Sequence, residues 1–202
     1  MTCQASQADF FAVEPALPNG FQYQPEVISP TDEQRLIAQF ANLRFKEFEF
    51  HGFLGKRRTV SYGWRYDFNG GCLQRTEDIP SFLLPVREMA AKFAGLRPRD
   101  LQQALLIEYP PGAQIGWHRD RPIFDLVVGI SLLSSCTFRL RRRIGNVWKR
   151  ASIIAEPRSA YLMKGESRTE WEHSIPAIAA PRYSITFRNF KDTKSANAAT
   201  SS

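Results

Sequence analysis

The sequence predicts an α+β domain in which two helices precede a β-sandwich or jelly roll. Three observations carry that reading. The texture of the chain changes once, near residue 100, from helical spacing to short runs of alternating character. Eight such runs follow, each bounded by turn residues, the pattern of a sandwich or jelly roll. The length of 202 residues is about that of one domain, enough to bury a core without disulfides or a structural metal.

Taken in order, residues 1–20 read as an N-terminal extension, 21–190 as the single domain and 191–202 as a tail. ISPTDEQRLIAQFANL reads as a helix: Ser29 can cap it, Pro30 suits its first turn, and Leu36, Ile37, Phe40 and Leu43 share one face. PSFLLPVREMAAKFAG reads as a second, with Val86, Met89, Ala90 and Phe93 on one face and Gly95 as its stop. An aromatic, basic segment lies between them. The strand-like runs are ALLIEY, AQIGWHRD, LVVGISLL, CTFRLRRR, VWKRASIIA, SAYLM, WEHSI and RYSITFR, separated by PPG, RPIFD, IGN, EPR and KGES. The tail KDTKSANAATSS has almost no apolar content and is expected to be disordered.

Composition bounds the function. Hydrophobic content of 43% and charge of 23% are ordinary for a globular protein, while 27 Lys and Arg against 20 Asp and Glu leave a net charge of +7. Such a surface attracts polyanions, which makes nucleic acid a candidate partner. Cys3, Cys72 and Cys136 are far apart with no C-x-x-C pair, so neither a disulfide framework nor a thiolate zinc site is indicated, and a reducing cytoplasmic setting is expected. The N-terminus lacks a basic stretch followed by an apolar one, and no run of about 18 apolar residues exists, so no membrane association is expected. No obligate protein partner is evident.

The stretch GWHRDRP carries the sharpest chemical signal. On a strand, His118 and Asp120 would point to the same face. One imidazole and one carboxylate at that spacing can take adjacent positions on a metal, and a second histidine completes a 2-His-1-carboxylate triad. The other histidines are His51 and His173. His173 is preferred: the 55 residues after His118 leave room for four or five strands, enough for a jelly roll to bring the chain back beside it. In the last run, period 2 puts Arg182, Ser184, Thr186 and Arg188 on one face and Tyr183, Ile185 and Phe187 on the other. That polar face reads either as a solvated sheet surface or as an anion pocket in which guanidinium forks grip a dicarboxylate.

In order and spacing, H118-x-D120, His173 and R182-x-S-x-T-F-R188 resemble the AlkB-like family of Fe(II)- and 2-oxoglutarate-dependent dioxygenases, over roughly residues 100 to 190. The resemblance implies a double-stranded β-helix with the N-terminal helices packed on one sheet. It also implies Fe(II) held by His118, Asp120 and His173, with 2-oxoglutarate and O2 as cosubstrates. Arg182 would bind the distal carboxylate, with Arg188 near the metal end. Tyr109 matches a family tyrosine that joins the distal carboxylate, although a packed strand tyrosine is the alternative reading. Ser184 stands where the family has asparagine, Ile107 replaces a second asparagine, and Pro122 replaces an acidic residue near the substrate base. Some cosubstrate hydrogen bonds must therefore be made differently here. Trp171 reads as packing. The implied chemistry is oxidative decarboxylation to succinate and CO2 coupled to C–H hydroxylation, which on an N-methyl group releases formaldehyde.

The resemblance also implies a substrate-recognition lid at about residues 51–69. Tyr62, Trp64, Tyr66 and Phe68 would alternate on one strand face, with Trp64 the best ring for stacking on a flipped or single-stranded base. Lys56, Arg57, Arg58 and Arg65 could meet phosphate. FRLRRRIGNVWKR reads as a hairpin with Phe138 and Leu140 facing in and Arg139, Arg141 and Arg143 facing out. The expected function is demethylation or hydroxylation of alkylated nucleic-acid bases, with DNA repair among its uses. The alternatives are a hydroxylase or demethylase of protein side chains and a non-catalytic jelly-roll metal-binding module.

Overall fold

Local signals set the helices where the sequence places them. The first, α1 (Pro30–Phe40), starts at Ser29, whose hydroxyl accepts the Asp32 N–H at 3.1 Å, with Pro30 in its first turn. The second, α2 (Leu84–Ala94), follows a single 3-10 turn at Ser81–Leu83 and ends at Gly95, whose φ of 72° favours glycine. The structure, a computed structural model, describes residues 16–50, 53–67 and 71–191. Most of the expected N-terminal extension, His51, Phe68 and the tail beyond Lys191 lie outside the described residues.

The eight expected runs form β6 (Gln103–Tyr109), β7 (Ile115–His118), β8 (Phe124–Leu132), β9 (Cys136–Ile144), β10 (Val147–Ala155), β11 (Ala160–Met163), β12 (Glu172–Ile175) and β13 (Arg182–Phe190). Before them come β1 (Phe21–Gln24), β2 (Lys46–Phe50), β3 (Phe53–Tyr62), β4 (Trp64–Asp67) and β5 (Cys72–Arg75). The large sheet has the order β1-β11-β8-β13-β6-β3-β2 and the small sheet β10-β9-β12-β7, while β4 and β5 form a separate ribbon. From β6 onward the chain passes back and forth between the two sheets, the winding of a double-stranded β-helix.

Each face of the large sheet buries a different layer. Leu36, Phe40, Val86 and Ala90 of the helices cluster with Leu106, Val128, Ile130, Ile185 and Phe187, so both helices cover the outer face. Between the sheets lie Ile107, Val127, Phe138, Leu140, Tyr161 and Ile175. The alternation in β13 is as read: Ile185 and Phe187 meet the helices, and Arg182, Ser184, Thr186 and Arg188 point the other way. That second face is buried between the sheets rather than solvated. No helix among the described residues is long and apolar enough to cross a membrane.

Three local details depart from the sequence reading. The strand AQIGWHRD ends at His118, so Asp120 lies in the following loop, where Pro122 cannot continue a ladder. The aromatic alternation breaks at Gly63, whose φ is 75° and whose added Cβ would sit 2.1 Å from the Gln102 carbonyl oxygen. Tyr62 thus ends β3, while Trp64 and Tyr66 belong to β4. The β9–β10 hairpin turns on Gly145 and Asn146 alone, because Ile144 pairs with Val147.

Candidate metal centre and cosubstrate cavity

The small sheet brings the two histidines together. His173 of β12 is the direct register partner of His118 on β7, and their ring centroids are 4.2 Å apart. Four strands separate β7 from β12 in sequence, as the jelly-roll winding requires. The loop after His118 returns Asp120 to the same point, and one ligand atom from each of His118, Asp120 and His173 lies within 4.8 Å of the others. The His118 Nδ1–H donates to the Gly116 carbonyl at 2.9 Å, which leaves Nε2 as the lone-pair nitrogen facing the cluster.

The electrostatics keep this donor set ready for a cation. Burial pushes the His173 imidazole down to about 3, reinforced by the nearby His118, so the ring is neutral at physiological pH. Burial alone would raise the Asp120 carboxyl. Arg188 and both imidazoles overcome it and hold the group well below the usual carboxylate range. Arg188 Nε donates to Asp120 Oδ2 at 3.0 Å and its Nη1 donates to Gln103 Oε1 at 3.2 Å. Gln103 in turn donates to the Trp64 carbonyl at 3.0 Å, which ties the metal end to β4. Arg168 fixes the loop after Asp120 by donating to the carbonyls of Arg121 and Phe124.

At the other end of the same β13 face the pattern changes. Arg182 is 1% exposed, its Nε donates to the Ser131 hydroxyl at 3.2 Å, and its guanidinium lies 4.8 Å over the Tyr109 ring. Both terminal nitrogens are buried with no hydrogen-bond partner among the described residues. A buried cation with bare donors costs several kcal/mol, roughly, unless an anion meets it, so the arrangement fits a carboxylate that arrives from outside. Tyr109, the register partner of Arg182, and Ser184 share a hydrogen bond at 3.3 Å beside it. The residues present therefore fit a metal at one end and a dicarboxylate at the other. Ser131 and Gln103 carry no motif, and the sequence reading missed them.

The cavity opens into a cleft of about 2080 Å³. That is more room than a small cosubstrate needs. Lys56, Arg57, Tyr62, Arg65, Tyr66, Arg119 and Arg121 line it. The Arg121 guanidinium lies 4.4 Å over the Tyr66 ring, joining the metal loop to β4. Trp64 is outside the lining: it packs edge-on to Phe190 and under Arg75. Arg58 pairs with Glu108, which also accepts from Tyr183, and Arg58 too is absent from the lining. On the outside of the small sheet, Arg139 and Arg141 lie over the Trp117 ring, and Arg141 also pairs with Glu172. Trp171 is buried and donates to Glu166, a packing role.

A double-stranded β-helix with clustered His, Asp and His ligands and a bare buried arginine further in has the parts of an iron- and 2-oxoglutarate-dependent oxygenase. The model of the 2OG-Fe(II) oxygenase superfamily matches residues 23–188, and the chain belongs to that family. Among its relatives are AlkB homologues. It is 28% identical over 176 residues to the alkylated DNA repair protein ALKBH8 homologue of Arabidopsis thaliana, covering 75% of this chain and 49% of the relative. It is 26% identical to the uncharacterized protein L905 of Acanthamoeba polyphaga mimivirus, covering 85% of each. It is 24% identical to the tRNA (carboxymethyluridine(34)-5-O)-methyltransferase alkbh8 of Xenopus tropicalis, covering 81% of this chain and 26% of the relative. The chain thus spans about half of the plant relative and about a quarter of the frog one. Among solved structures, OsALKBH1 superposes with a TM-score of 0.66 at 16% identity, covering 86% of this chain and 100% of that one. A Pseudomonas putida prolyl-4-hydroxylase superposes with a TM-score of 0.58 at 11% identity, covering 86% and 94%. Membership of this family implies Fe(II) and 2-oxoglutarate, with O2 as co-oxidant, and His118, Asp120 and His173 form the cluster that could hold the metal.

Proposed function

We propose that the enzyme oxidises alkyl groups on nucleic-acid bases, with His118, Asp120 and His173 holding Fe(II) and Arg182, Tyr109 and Ser184 holding the distal carboxylate of 2-oxoglutarate. The observation that carries this reading is the cleft around the ligand cluster, whose lining combines the cations Lys56, Arg57, Arg65, Arg119 and Arg121 with the rings of Tyr62 and Tyr66. Cations meet phosphate and rings stack on an unpaired base. Relatives named for alkylated DNA repair and for tRNA modification support the same substrate class.

Iron and 2-oxoglutarate together supply the oxidising power that turns O2 against a C–H bond. The protein supplies placement. Arg188 orients the Asp120 carboxylate, Gly116 fixes the His118 tautomer, and Arg168 pins the loop that carries Asp120. Arg182, 1% exposed between the sheets, would neutralise one carboxylate of the keto acid. Of the lid residues in this reading, Arg57 and Tyr66 line the cleft. Tyr62 lines the cleft largely buried, and Trp64 and Arg58 would act only if the lid rearranged. The domain is taken as residues 21–190. A cytoplasmic setting belongs to the same reading, supported by Cys72 and Cys136 as free thiols.

Succinate release measured with methylated DNA and RNA oligonucleotides, methylated peptides and no substrate tests the reading. Stimulation by one nucleic acid, with formaldehyde in equal amount, is expected, and the responding polymer separates DNA repair from RNA modification. Stimulation by peptides alone would replace the reading with the protein-hydroxylase alternative, and metal binding without turnover would replace it with a binding module.

A further inference from the structure

Gly129 stands in the middle of β8, a central strand of the large sheet, where glycine weakens a strand and packs nothing. Space explains it. A Cβ at Gly129 would sit 2.1 Å from Tyr161 Cζ and 2.4 Å from its hydroxyl oxygen. Tyr161 pairs with Gly129 across β11 and β8, and Gly129 pairs with Thr186 across β8 and β13. The tyrosine therefore lies over β8 with its hydroxyl end directed toward β13, on the face that carries Arg182, Ser184, Thr186 and Arg188. Phe138 and Phe21 flank its ring at centroid distances of 4.5 and 6.3 Å, which fixes its course.

The side chain lines the cavity, and none of the hydrogen bonds among the described residues involves its hydroxyl. Burial raises the phenol well above its ordinary value, so it is a neutral donor at physiological pH. Gly129, beneath the hydroxyl, pairs with Thr186, which stands on β13 between Ser184 and Arg188, so the hydroxyl lies between the two ends of the cavity. An ionised carboxylate accepts about four hydrogen bonds. Arg182 offers two bare nitrogens, while Tyr109 and Ser184 spend one hydroxyl hydrogen on each other. A further donor is wanted on the side facing β11.

We propose that Tyr161 is a 2-oxoglutarate-binding residue whose hydroxyl donates to the carboxylate held at Arg182, and that Gly129 is glycine in order to admit it. This rests on the cosubstrate and not on the nucleic-acid substrate, so a binding measurement isolates it. In Mn(II)-loaded full-length protein, calorimetric titration with 2-oxoglutarate should show about tenfold weaker binding in Tyr161→Phe, equivalent to about 1.4 kcal/mol. Mn(II) affinity and the thermal midpoint should not change. Gly129→Ala should also weaken 2-oxoglutarate, because its methyl displaces the ring. Added to Tyr161→Val, where that space is open, Gly129→Ala should weaken binding no further. Unchanged affinity in Tyr161→Phe overturns the proposal, as does an equal effect of Gly129→Ala with and without Tyr161. Absence of 2-oxoglutarate binding in the unsubstituted protein would remove the cosubstrate assignment itself, and the proposal with it.

Discussion

Arg182 and Arg188 leave the same face of one strand and are both buried, yet they live opposite lives. Arg188 spends its donors on Asp120 and Gln103, whereas Arg182 keeps two terminal nitrogens bare. A guanidinium locked to a carboxylate is part of the scaffold, since removing either member would strand the other's charge. A guanidinium left incomplete at similar depth is a receptor, its cost offset when a ligand binds. In the proposed function the two ends of β13 divide the labour: one aims a metal ligand, and the other receives the cosubstrate.

The hardest way to break the metal end is to remove a ligand. Alanine at His118, Asp120 or His173 should abolish iron-dependent succinate release, while His51→Ala should leave it largely intact. Retained iron affinity in His173→Ala with loss in His51→Ala would reassign the third ligand.

Arg188→Ala should come next in size. It leaves the ligands in place but releases Asp120 from its orienting partner, so iron affinity should fall by about 10- to 100-fold. Competition with a fluorescent chelator reads this directly. Unchanged affinity would mean that Asp120 is positioned by its loop alone.

Acid should separate the ends more gently. In the metal-free protein the His173 pKa is depressed to about 3, below the ordinary value near 6.5. Between those values the unfolded chain binds more protons at this site than the folded one, so stability is lost as pH falls from about 6.5 toward 3. The thermal midpoint should drop on acidification, and less so in His173→Gln. Equal slopes in both proteins would assign the acid sensitivity to other groups.

The smallest effect concerns the cleft rim, which neither arginine controls. If Lys56, exposed at the rim, meets a phosphate of a single strand, removing it should lower the slope of log affinity against log salt by about 0.7. An unaltered slope would place the nucleic acid elsewhere.

How much of this was legible in the sequence follows from which signals are local. Ser29, Pro30 and Gly95 announced α1 and α2 because caps act within one turn. The eight strands were readable because turn residues interrupt each run, and the ligand set because only three histidines exist. β1, β2 and β5 were missed: β1 finds its partner only in the distant β11, while β2 and β5 are hairpin partners of β3 and β4 in the aromatic, basic segment. Arg182 and Arg188 look alike in sequence. Their difference lies in Asp120, Gln103 and Ser131, residues that only the folded sheet brings near. The lid fared worst in detail, because Gly63 breaks the strand that would have aligned Tyr62 with Trp64.

The most direct test of the division between the two arginines is calorimetric titration of 2-oxoglutarate into Mn(II)-loaded Arg182→Ala. The dissociation constant should rise tenfold or more, since about 1.4 kcal/mol already gives tenfold, with Mn(II) affinity unchanged. Arg182→Lys should recover little of the loss, lacking the fork that meets two carboxylate oxygens. Unchanged 2-oxoglutarate binding in Arg182→Ala would contradict the account and leave the bare nitrogens of Arg182 without a ligand.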